Sequence, residues 1–120
     1  MQEIEGVPCA LITATQLHMY FIPDLKEKLL ATVAQEPDSL IIDLTQVEYL
    51  DSSAMGVLFQ VQKKMHAYGG ALYLVGINST IEMVFKLTKS DQHFTVFADA
   101  ATAAKVPVLE APPLARALYA

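Results

Sequence analysis

The sequence predicts an α/β domain: a mixed, mostly parallel sheet of four to five strands with about four helices packed against it. Three observations carry that prediction. Leu40-Ile41-Ile42-Asp43-Leu44 and Ala71-Leu72-Tyr73-Leu74-Val75 are short, nearly unbroken apolar runs, the pattern of strands buried on both faces of a parallel sheet. Around them lie segments whose apolar residues recur at helical spacing, such as Met55, Leu58, Val61 and Met65. The chain has 120 residues, enough for one hydrophobic core and one domain.

Residues 4–14 read as extended structure, with 9–14 as the more convincing strand and Gly6-Val7-Pro8 as an interruption before it. Two antiparallel strands joined near Gly6 are expected, with Pro8 at an edge or strand end because it cannot donate to a ladder. Residues 15–20 read as a loop. The first helix is expected to begin near Pro23, whose fixed φ suits a first turn, with Asp24 at the positive end of the dipole. Leu25, Leu29, Leu30 and Val33 form its apolar stripe, Lys26, Glu27, Lys28 and Gln35 its wet face, and Glu36-Pro37-Asp38-Ser39 its stop. A buried strand, 39–44, follows, and strand, helix, strand in that order implies a right-handed crossover to a parallel neighbour.

The second helix, about 53–66, is expected to end at Tyr68-Gly69-Gly70, where glycine supplies a left-handed conformation. Lys63, Lys64 and His66 suit the negative end of its dipole. After the strand 71–75, Asn78-Ser79-Thr80 opens a third helix with the stripe Ile81, Val84 and Phe85. Ser79 and Glu82 match a capping box. Phe94-Thr95-Val96-Phe97 alternates as a last strand, and 99–104 reads as a short alanine-rich helix. Residues 1–105 are thus assigned to one domain. Residues 106–120, with Pro107, Pro112 and Pro113 and no periodic pattern, are expected as an extension that is mobile or packs on a neighbour.

Eight Lys plus Arg against thirteen Asp plus Glu give a formal charge of −5, with no basic cluster, so nucleic acid and anionic membranes are poor partners. Cys9 is the only cysteine, which excludes an intrachain disulfide and points to a reducing compartment. The acidic start Met1-Gln2-Glu3-Ile4-Glu5 is unlike a signal peptide, and no apolar stretch is long enough to cross a bilayer; a cytoplasmic location is expected. A content of 53% hydrophobic and 18% charged residues is apolar for a domain of this size. It implies either an exposed apolar patch serving a partner or a homodimer, or a well-filled core plus an alanine-rich end.

Catalytic chemistry fails on inventory. His18, His66 and His93 lie on separate elements without H-E-x-x-H spacing, so no metal site is expected. There is no G-x-S-x-G, no C-x-x-C, and Gly69-Gly70 lacks the G-K-[ST] of a phosphate loop, so no cofactor is expected either. Cys9 falls in a strand and reads as a small buried hydrophobe. What remains is Asp51-Ser52-Ser53, between the strand-like Val47-Glu48-Tyr49-Leu50 and the second helix. One reading is a helix N-cap, in which Asp51 or Ser52 accepts from a first-turn N–H. The other is an exposed serine available to a kinase. A phosphoryl group there adds nearly two negative charges where the dipole favours them, yet beside Asp51 it would repel any acidic surface docked over it.

The run Leu40-Ile41-Ile42-Asp43-Leu44, followed by Val47-Glu48-Tyr49-Leu50-Asp51-Ser52-Ser53-Ala54-Met55-Gly56-Val57-Leu58, resembles the signature of STAS domains, and most of all bacterial anti-sigma factor antagonists. The similarity extends to Tyr68-Gly69-Gly70-Ala71-Leu72-Tyr73-Leu74-Val75-Gly76 and Met83-Val84-Phe85-Lys86-Leu87-Thr88, and so covers about residues 3–104. The resemblance implies a STAS-type sheet and a non-enzymatic partner switch. Ser53, the second serine of the pair, takes the place of the family's phosphorylated serine, with Ser52 the less favoured acceptor; Asp51, Ser52, Ser53, Ala54, Met55 and Gly56 take the place of its partner surface. The implied partners are an anti-sigma factor that is a GHKL-type serine kinase and a PP2C-type phosphatase that resets the switch. The alternative is a structural STAS subunit of a stressosome-like or lipid-transport assembly without a phosphoswitch. Two positions depart from the family pattern. Ala54 replaces the usual glycine and adds a methyl where a kinase approaches, and Thr15-Gln16-Leu17-His18 lacks the usual glycine and acidic residue.

Overall fold

The protein is described from a computed structural model over residues 2–4, 6–17 and 22–104. Its first strands form a hairpin: β1 (Gln2–Ile4) runs antiparallel to β2 (Val7–Leu11), and Gly6 takes a φ of +82° at the turn. Strand β2 therefore begins and ends earlier than the composition of 9–14 suggested, and Pro8 lies inside it. The sheet tolerates this because parallel pairing with β4 (Ser39–Asp43) starts only at Cys9, one residue later. The expected loop contains a two-residue strand, β3 (Gln16–Leu17), which pairs with β5 (Tyr49–Leu50) in a small separate sheet. His18, the rest of that loop and the extension 106–120 lie outside the described residues.

The main sheet has the order β1-β2-β4-β6-β7, with β6 at Ala71–Val75 and β7 at Thr95–Phe97; every neighbour pair after the hairpin is parallel. The sheet grows in one direction, and the three crossovers bring α1 (Ile22–Val33), α2 (Ser52–Ala67) and α3 (Ser79–Leu87) to one face. Alternation along the strands then sorts the core. Leu40, Ile42, Leu72 and Leu74 pack under these helices with Leu29, Val33, Leu58, Val61, Met65, Ile81 and Phe85. Cys9, Ile41, Tyr73 and Val75 face the other way, where Ala100 and Ala103 of the short α4 (Ala100–Ala104) pack against them. Both strands predicted as doubly buried are so, β6 along its whole length.

Burial, followed by the charge of Asp43, pushes the Cys9 thiol up, away from the reactive thiolate. Burial also raises the Tyr73 phenol, whose hydroxyl finds no partner among the described residues.

The helix ends show which local signals decided them. Helix α1 starts at Ile22, one residue before Pro23, and Glu36 takes a left-handed φ of 52° beyond its end. At the end of α2, Gly69 N–H donates to His66 O at 3.1 Å and Gly70 N–H to Met65 O at 2.8 Å, with Gly69 at φ +85°. The capping box expected from Ser79 and Glu82 does not form. Asn78 is the N-cap instead, its Oδ1 accepting from Ile81 N at 2.8 Å, while Glu82 pairs with Lys86 at 3.1 Å. Asn78 wins because Ser79 is already the first residue of the helix.

Candidate functional site

The segment leading to the serines is pinned at each step. After β4, Asp43 accepts from both Thr45 N, at 2.9 Å, and the Thr45 hydroxyl, which closes a tight turn. Gly76 passes against this turn at φ +72°, and a Cβ there would come within 2.3 Å of Thr45 Oγ1, so a side chain at this position is strained and must displace Thr45. Val47 and Leu50 are buried in the core below. Glu48 N and Tyr49 N both donate to Thr15 O, at 2.6 and 3.3 Å, and Asn78 Nδ2 donates to Val47 O and Glu48 O at 3.2 and 3.1 Å. One asparagine thus caps α3 and clamps the strand that delivers Asp51. Sequence reading missed this second role, because the donors and acceptors lie thirty residues apart.

Helix α2 begins at Ser52, one residue earlier than expected. Asp51 is its N-cap, in extended conformation, with Oδ1 accepting from Ala54 N at 3.0 Å while its own carbonyl accepts from Met55 N at 3.1 Å. Of the two cap candidates the carboxylate takes the role, which leaves both serine hydroxyls free of it. Ser52 and Ser53 are exposed, and so is Gly56, where an added Cβ would meet nothing within 4 Å. Ala54, in contrast, is 0% exposed and Met55 nearly buried. The Ala54 methyl packs into the core. Of the six residues from Asp51 to Gly56, Ser52, Ser53 and Gly56 are exposed and Asp51 is half-buried.

Beside the serines a groove of about 270 Å³ opens between α2 and α3. Tyr49, Met55, Phe59, Val84, Thr88 and His93 line it, and Asp51 and Ser52 form one end. Its far side is held by side-chain bonds: Gln62 Nε2 donates to His93 O, and Thr88 Oγ1 donates to Val84 O at 2.8 Å and lies 2.7 Å from Ser90 Oγ. Phe59 packs edge-on to His93 and tilted on Phe94, with ring centroids 5.7 and 4.9 Å apart. A second groove, of about 560 Å³, lies away from the serines between α3 and β7, over Phe85, Phe94 and Val96.

The STAS domain profile matches residues 1–103, nearly the whole described chain. The chain belongs to the STAS domain family. Among its relatives is the anti-sigma-B factor antagonist of Listeria monocytogenes, 31% identical over 78 residues, which cover 65% of this chain and 68% of that one. The anti-sigma-B factor antagonist of Staphylococcus epidermidis is 26% identical over 73 residues, covering 61% and 68%. The crystal structure of an anti-sigma factor antagonist from Mycobacterium paratuberculosis superposes with a TM-score of 0.74 at 25% identity over 86% of each chain. A STAS domain protein from Planctomyces limnophilus shares the fold with a TM-score of 0.76 over 86% of this chain and 92% of that one, at 16% identity. By sequence and by fold, this STAS domain groups with the anti-sigma factor antagonists. Among the described residues no helix is long and apolar enough to cross a membrane.

Proposed function

We propose that this STAS domain is an anti-sigma factor antagonist that works as a partner switch in the cytoplasm, without catalytic activity of its own. Unphosphorylated, it binds an anti-sigma factor that is a GHKL-type serine kinase, and so frees a sigma factor. Phosphorylation of Ser53 blocks that binding, and a PP2C-type phosphatase restores it. The observation that supports this reading is the division of labour at the start of α2. Asp51 holds the cap, so Ser53 stands exposed on the first turn without a capping role among the described residues.

A phosphoryl group there gains from the helix dipole, and the fold accepts it. A docked partner does not, because the added dianion must be desolvated next to Asp51. A loss of only ~3 kcal/mol at the interface weakens binding more than a hundredfold.

The test is incubation of the full chain with the anti-sigma kinase of its own host and ATP, read by mass spectrometry and by a binding titration. One phosphate is expected on the wild type and none on Ser53→Ala, and Ser53→Asp is expected to bind the kinase at least tenfold more weakly. Stoichiometric phosphate on Ser53→Ala would overturn the assignment. The second reading, a structural subunit of a stressosome-like or lipid-transport assembly, draws on the exposed apolar side chains flanking the serines. A large homo-oligomer in light scattering would favour it over the switch.

A further inference from the structure

The large apolar side chains that the described residues leave exposed gather at one place. Tyr49 is 46% exposed and Phe59 37%, both in the groove between α2 and α3; Met83 is 62% and Leu87 78% exposed on α3. Met83 and Leu87 are one helical turn apart and stand beside Val84 and Thr88, which line that groove. An apolar ridge therefore rises at the rim of an apolar hole. A ridge and a hole side by side on one face are what a surface needs to pair with itself about a two-fold axis, each ridge entering the other copy's hole.

The charges obey the same symmetry. Asn78 ties the N-terminus of α3 to the carbonyls of Val47 and Glu48, so exposed Glu48 and half-buried Asp51 make that end of the groove acidic. The other end, where α3 runs out, carries exposed Lys89. An antiparallel pairing lays the basic end of each copy on the acidic end of the other and opposes the two helix dipoles.

We infer that this face pairs with a second copy of the chain, α3 against α3 in antiparallel sense, with Leu87 and Met83 of each protomer seated in the groove of the other. Asp51 and Ser52 line the same groove, so the dimer covers part of the helix start proposed above as the partner surface. That corollary alone rests on the proposed function; the dimer does not.

Sedimentation equilibrium of the full chain across the micromolar range tests the pairing without any kinase present. The mass is expected to rise with concentration toward twice the 13.1 kDa of one chain. Leu87→Glu and Met83→Glu are expected to weaken the dimer tenfold or more with unchanged circular dichroism, since both side chains are exposed. Glu48→Lys and Lys89→Glu are each expected to weaken it, and the double variant to recover it, a pattern that loss of folding cannot imitate. A one-chain mass at every concentration overturns the inference, as does a dimer that neither glutamate substitution weakens, or an apolar face that binds only a different protein. A negative phosphorylation result at Ser53 leaves the mass measurement untouched, so the two proposals fail separately.

Discussion

Asp51 and Ser53 sit two positions apart and serve different ends. The carboxylate of Asp51 satisfies the Ala54 N–H, one of the four donors that a helix start leaves unpaired. Replacing Asp51 with Ala is expected to cost about 1 kcal/mol of stability in urea unfolding. Ser53→Ala and Ser52→Ala should stay within about 0.5 kcal/mol of the wild type. Ser53→Asp should be no less stable, since a negative charge in the first turn opposes the dipole. A binding loss on Ser53→Asp would then report the interface and not the fold. That Asp51 or Ser52 caps the helix was legible in the sequence; which one was not, because both side-chain types cap well and only the backbone conformation at Asp51 decides.

At the scale of the element, α2 has two faces with opposite duties. Ala54, Val57, Leu58, Val61 and Met65 close the core, as the helical spacing of its apolar residues implied. Gly56 faces water with open space around it and no positive φ, so neither packing nor backbone strain demands a glycine there. Gly56→Ala is therefore expected to stabilise the protein by about 0.5–1 kcal/mol through helix propensity, measured by thermal unfolding. If the same variant weakens partner binding, the glycine keeps the surface flat beside Ser53. The burial of Ala54 is a tertiary fact that its place in the motif does not carry. Position in a motif says that a methyl is present; only the angle at which α2 meets the sheet says that the methyl points inward.

Over the whole molecule, the described residues cover the two faces of the sheet unequally: three helices of nine to sixteen residues on one side and a five-residue helix on the other. Native-state hydrogen exchange should follow that asymmetry, with the amides of β4 and β6 slowest and those of β1 and α4 fastest. Equal protection in α4 and β6 would contradict it. By itself the sequence determined the α/β class, the two doubly buried strands, the glycine stop of α2 and the serines at its start, because each rests on contacts between residues close in the chain. Tertiary structure alone decided the rest. The β3–β5 pairing, the Asn78 clamp, the fit of Gly76 against Thr45 and the meeting of Tyr49 with Val84 and Thr88 of α3 in one groove join residues thirty or more apart. Local propensity carries no record of such distances; the crossovers that stack α2 and α3 on one side of the sheet create them.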